Sequence, residues 1–97
     1  MSKLLSVEFE IFGIVQGVFF RKNAEKQANS LALKGWVKNS SSGTVEGVLE
    51  GPSEAVNEMK YWLQHKGSPE SRIDQAVFLN EKEIENYTFD NFFIKRS

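Results

Sequence analysis

The sequence predicts an α+β sandwich, with two helices laid on one face of a mainly antiparallel β-sheet. Three observations predict it. Several stretches alternate apolar and polar residues or are rich in β-branched and aromatic ones; two others carry apolar residues at helical spacing; and they follow one another in the order strand, helix, strand, strand, helix, strand, with one short extra strand.

The first strand spans Leu5 to Phe12, where Leu5, Val7, Phe9 and Ile11 fall on one face and Ser6, Glu8 and Glu10 on the other. A glycine loop breaks the alternation. Phe20, Ala24, Ala28 and Leu31 then recur at helical spacing, predicting a helix over Phe20 to Leu33 with Lys34 in the last turn and Gly35 as its stop. "GWVKNSSSGTVEGVLEG" reads as a hairpin of two strands, Trp36 to Asn39 and Thr44 to Glu50, whose serine-rich turn uses Gly43 for positive φ. Pro52 and Ser53 open a second helix with an apolar stripe of Val56, Met59 and Leu63, Glu54 near its start, Lys66 near its end and Gly67 as the stop. "RIDQAVFLNE" and "NYTFDNFFIKR" supply the last two strands. This is a ferredoxin-like sandwich, expected as one domain over residues 1–97.

Composition excludes several classes of function. The 97 residues carry 12 basic and 13 acidic side chains, a net charge of −1, so no global field draws the chain to nucleic acid or to an anionic membrane. Any anion site must be local. The absence of cysteine rules out disulfides, thiolate metal sites and cysteine nucleophiles, and suits a reducing compartment. "MSKLLSVEFEIF" alternates too early for a signal peptide, and no apolar run approaches a membrane span, so a cytoplasmic protein, expected to be a monomer, is the reading.

The chemistry concentrates in "GIVQGVFFRKNAEKQ", Gly13 to Gln27. A strand running through Gly13 and Gly17 into a helix start offers unpaired N–H groups that can curl around one anion, and the helix dipole adds to their attraction. Arg21 stands in the first helical turn, where the dipole alone favours an acidic residue. It adds a fork able to grip two phosphate oxygens. A tight turn with a solvent-facing arginine is the alternative. Asn39 ends the second strand, which a strand–helix–strand unit returns parallel to the first, so topology brings its amide to the same sheet edge. By itself it also reads as a turn residue ahead of Ser40, Ser41 and Ser42.

At these residues the chain resembles the acylphosphatase family. "GIVQGVFFR" (Gly13 to Arg21) is similar to the family's first motif, "GWVKNSSSGTVEGVLEG" (Gly35 to Gly51) to its second, and "GSPESRIDQAVFLNEKEI" (Gly67 to Ile84) to its eukaryotic branch. The resemblance implies that Arg21 binds phosphate and that the backbone of Gln16, Gly17, Val18, Phe19 and Phe20 cradles it. It further implies that Asn39 positions the attacking water, with Ser40, in place of a commoner threonine, beside the substrate. Position 14, often basic in the family, is Ile14, and a terminal aromatic is replaced by Lys95-Arg96-Ser97.

The implied reaction, R–CO–OPO3(2−) + H2O → R–COO− + H2PO4−, releases a carboxylate whose acid has a pKa of about 4 to 5, so it departs without a proton donor. Positioning and charge suffice, with no metal or other cofactor expected. His65 on the second helix, and Asp74 and Asp90 on strands, read as structural, while Trp36, Trp62 and the eight phenylalanines read as core, with Phe19 and Phe20 also able to wall the site. The alternative functions are a phosphate-binding module without turnover and an RNA-binding module on the same fold. Against the second, "TVEGVLEG" lacks aromatics and carries two glutamates.

Overall fold

In β1 (Leu4–Ile14), Val7, Phe9 and Ile11 are buried, whereas Glu8 is exposed and Glu10 half-buried, so the period-2 pattern decides which face meets the core. A computed structural model describes residues 3–96; Met1, Ser2 and Ser97, the last residue of the altered terminus, lie outside them. The order continues with α1 (Phe20–Ser30), β2 (Lys34–Asn39), β3 (Val45–Pro52), α2 (Ser53–His65), β4 (Arg72–Glu83) and β5 (Phe92–Ile94). The strands form one sheet in the order β4-β1-β3-β2-β5, antiparallel throughout except for the parallel β2–β5 pair. This is the predicted ferredoxin-like sandwich.

The core lies between one sheet face and the two helices. Ile11, Val37, Val45 and Leu49 from the sheet meet Phe20, Ala24 and Ala28 of α1 and Val56, Met59 and Leu63 of α2, all nearly inaccessible to water. Burial of each large member contributes about 1.5–3 kcal/mol. Phe20 in the first turn of α1 sits 5.5 Å, centroid to centroid, from Trp62 of α2, so the helix start beside the glycine loop is fixed to the second helix.

Three local features depart from the sequence reading. First, α1 ends at Ser30, and Gly35 is not its stop. Ala32 takes the left-handed conformation (φ 57°), Leu33 N–H donates to Ala28 O at 2.9 Å and Ala32 N–H to Asn29 O at 3.1 Å, the Schellman arrangement with alanine where glycine is usual. Gly35 instead lies in β2, where an added Cβ would fall 2.0 Å from Val48 O. Second, the last strand is only three residues long. The segment before it is held by the buried Glu50 carboxylate, which accepts the N–H groups of Thr88 at 2.8 Å and Phe89 at 3.3 Å. Third, Trp36 is not core: Val37 is the buried residue of β2, and the Trp36 ring lies on the open face under the ammonium groups of Lys38 and Lys95.

Candidate active site

The loop from Val15 to Phe19 leaves the end of β1 and enters α1 with an unusual backbone. Gly17 has φ 76° and Phe19 φ 59°, while Val18 between them stays out of the positive region. Alternation of this kind turns successive N–H vectors toward one side and builds an anion nest. Gly17 takes its conformation freely; Phe19 does so at a cost of about 1–2 kcal/mol. Among the described residues, no N–H from Gln16 through Lys22 has a protein acceptor, Asn23 being the first to find one, at Phe19 O. No acidic side chain stands in the first turn and no side chain caps the helix. The positive end of the helix and its orphan donors are therefore open to an external anion.

Arg21 and Asn39, from α1 and the end of β2, line one cavity of about 570 Å³, together with Gly17, Phe19 and Phe20 of the loop and helix start. Topology brings them there: Val45 of β3 pairs with Ile11 on one side and Asn39 on the other, so β1 and β2 end at the same edge of the sheet, as expected. Phe93, Ile94 and Arg96 complete the far wall, and Lys22 and Glu25 lie along α1. Arg21, Lys22 and Arg96 form no ion pair among the described residues, leaving three cations against the single carboxylate of Glu25. The Oδ1 atom of Asn39 is buried and has no hydrogen-bond partner among the described residues. A buried acceptor left unmet costs about 1–3 kcal/mol, so its position calls for a donor.

Gln16, Val18 and Ser40 do not line this cavity. The Gln16 side chain spends both amide hydrogens on the turn between β2 and β3, donating to Ser40 O at 3.0 Å and Thr44 O at 2.9 Å. It ties the nest to the turn that follows Asn39. The Ser40 hydroxyl is also committed. Thr44 Oγ1 donates to Glu10 Oε2 at 2.6 Å, so its only proton is spent, and Ser40 Oγ, 2.6 Å away, is the donor to Thr44. Ser40 Oγ in turn accepts from the N–H of Thr44 at 3.1 Å and of Ser42 at 3.3 Å. Glu10 and Thr44 are thus site-supporting residues that the sequence reading missed; a carboxylate on the polar face of β1 was their one trace.

The remaining candidates stand apart. Asp74 pairs with Arg72 at 3.0 Å, Asp90 accepts Lys34 Nζ through its backbone carbonyl, and His65 stacks on Tyr61 at 4.7 Å in the last turn of α2. None lines the cavity. Ile14 is about half exposed and does not line the cavity.

The profile of the family described as acylphosphatase matches residues 7–94. The chain is 54% identical over 90 residues to acylphosphatase-1 of Xenopus tropicalis, covering 93% of this chain and 92% of that protein. It is 54% identical over 92 residues to acylphosphatase-2 of Rattus norvegicus, covering 95% of each. Among solved structures, the acylphosphatase of Bacillus subtilis superposes with a TM-score of 0.87 at 32% identity, covering 95% of this chain and 99% of that one.

Proposed function

From the premise that this chain belongs to the acylphosphatase family and hydrolyses acyl phosphates to a carboxylate and inorganic phosphate, we propose how its residues divide that work. The phosphoryl group sits in the nest, its oxygens taking the unpaired N–H groups of Gly17, Val18, Phe19 and Phe20 and the guanidinium of Arg21. These donors are fixed before substrate arrives and favour the charge that builds on the equatorial oxygens as the bond to the leaving carboxylate stretches.

Asn39 holds the attacking water. The observation that supports this role is that Asn39 lines the same cavity as Arg21, beside the open nest, while its Oδ1 makes no hydrogen bond among the described residues. An amide oxygen accepts one water hydrogen and aims the water oxygen at phosphorus. The new P–O bond forms opposite the breaking one, the carboxylate leaves as an anion, and the water's second hydrogen goes with the phosphate as H2PO4−. Gln16 and Ser40 act by fixing the turn, Gln16 through its two amide bonds and Ser40 through its bond to Thr44. Paired measurements on Asn39→Ala test the assignment: turnover of acetyl phosphate should fall while binding of inorganic phosphate persists.

We also propose that the enzyme works as a cytoplasmic monomer on small acyl phosphates, without nucleic acid. Cysteine-free composition supports the compartment. Its large exposed apolar side chains, among them Tyr61, Leu79 and Tyr87, are spread over separate elements, which supports the monomer. Among the described residues no helix is long and apolar enough to cross a membrane. The groove on the open sheet face is lined by Glu8, Glu10 and Glu46, the wrong sign for an RNA backbone.

A further inference from the structure

Phe19 combines two unfavourable features in one residue. Its backbone is left-handed at φ 59°, where glycine or asparagine would sit at less cost, and its side chain is 73% exposed. Neither serves the core, which Phe20 enters instead. The ring also borders two hollows at once. On one side is the cavity with Arg21 and Asn39; on the other is a groove of about 500 Å³ that shares Phe19 and Lys22 with it and adds the apolar Val18 and Pro69 with Asn23, Lys26 and Glu70.

The two hollows lie on opposite sides of the nest. Asn39, Phe93 and Ile94 belong to β2 and β5, at one margin of the sheet, whereas Pro69 belongs to the connection into β4, the strand at the other margin. In-line displacement requires the attacking water and the leaving carboxylate on opposite sides of phosphorus. With water on the Asn39 side, the acyl group points away from β2, across Phe19 and toward the second groove.

We propose that Phe19 is a specificity-determining residue: its ring, with Val18 and Pro69, forms an acyl subsite that favours acyl phosphates bearing an aromatic or extended apolar acyl group over short ones. The proposal rests on the placement of water and phosphate given above. An aromatic acyl group would stack on a ring that is already exposed beside the nest.

The test compares kcat/KM for benzoyl phosphate and acetyl phosphate, each divided by its uncatalysed rate, in the wild type, Phe19→Gly and Phe19→Tyr. Glycine adopts the backbone at position 19 without strain, so the nest is kept while the ring is removed. The expected wild-type preference for benzoyl phosphate is about tenfold; Phe19→Gly abolishes it and Phe19→Tyr keeps it. A wild-type ratio near one, or equal losses on both substrates in Phe19→Gly, overturns the subsite. Product binding reads the subsite apart from turnover: with phosphate bound, benzoate should bind about tenfold tighter than acetate, and only while the ring is present. Failure of the catalytic assignment would show separately, as undiminished kcat in Asn39→Ala.

Discussion

Gln16 and Thr44 are joined side chain to backbone across 28 residues of sequence, the Gln16 amide donating to the Thr44 carbonyl at 2.9 Å. With the companion bond to Ser40 O, this couples the loop that would hold phosphate to the turn that carries Asn39 onward into β3. If Asn39 holds the water and the nest holds phosphate, in-line attack needs these two segments in a fixed relation, which the two Gln16 bonds would supply.

Gln16→Leu should therefore damage turnover more than substrate binding. Small misplacements of reacting groups are costly to rate, so kcat is expected to fall about tenfold with a much smaller change in phosphate affinity. Loss of the two bonds should lower unfolding stability by about 1–2 kcal/mol in urea titration. A variant with normal kcat would remove the coupling role.

Arg21 and Asn39 should separate binding from chemistry. Arg21→Ala is expected to weaken inorganic phosphate binding by tenfold or more, since charge-assisted hydrogen bonds contribute about 1.5–3 kcal/mol. Arg21→Lys should restore only part of it, a point charge lacking the fork. Asn39→Ala should keep phosphate binding within about threefold and lose about a hundredfold in kcat. Calorimetric titration with phosphate, beside acetyl phosphate kinetics, checks both; parallel losses in the two variants would argue against separate roles.

The leaving group should define the reaction's range. A simple alkyl phosphate departs as an alkoxide far more basic than a carboxylate, and no group assigned here donates a proton to it. Turnover of such an ester should be negligible beside that of acetyl phosphate, and acetyl phosphate turnover should survive a chelator. Comparable rates on the two substrates, or loss of activity in chelator, would contradict the chemistry assigned to the nest and Arg21.

Ala32→Gly should stabilise the protein. Alanine there adopts φ 57° at the end of α1, where glycine would carry no steric penalty. After allowance for the greater freedom of glycine in the unfolded chain, the expected gain is about 0.5–1 kcal/mol, read as a rise in Tm without change in kcat. A lowered Tm would mean that the left-handed conformation is not what the position demands.

The parts of the molecule legible in sequence are those in which one residue type has one physical use. Alternation in β1, the stripe of α2, and Gly13 and Gly17 ahead of Arg21 each carry their meaning locally. Ala32 could not be found that way, because alanine carries no sign of a left-handed turn. Tyr87 and Phe89 read as strand, yet their segment is occupied by a buried carboxylate instead of a sheet ladder. The Gln16 bonds and the chain from Ser40 through Thr44 to Glu10 were equally hidden, since their partners lie up to 34 residues away and several are backbone atoms.

The parallel pairing of β5 with β2 has a consequence for how the native enzyme opens. β5 meets β2 through three partner pairs only, Gly35 with Phe92, Trp36 with Phe93 and Val37 with Ile94, a much shorter ladder than the one that joins β1 to β3, so little of its own pairing holds it in place. β5 is three residues long and brings Phe93 and Ile94 to the cavity wall. In the native protein, amide exchange across the β2–β5 pair should outpace exchange between β1 and β3. The far wall of the site is then the part of the sheet expected to open first.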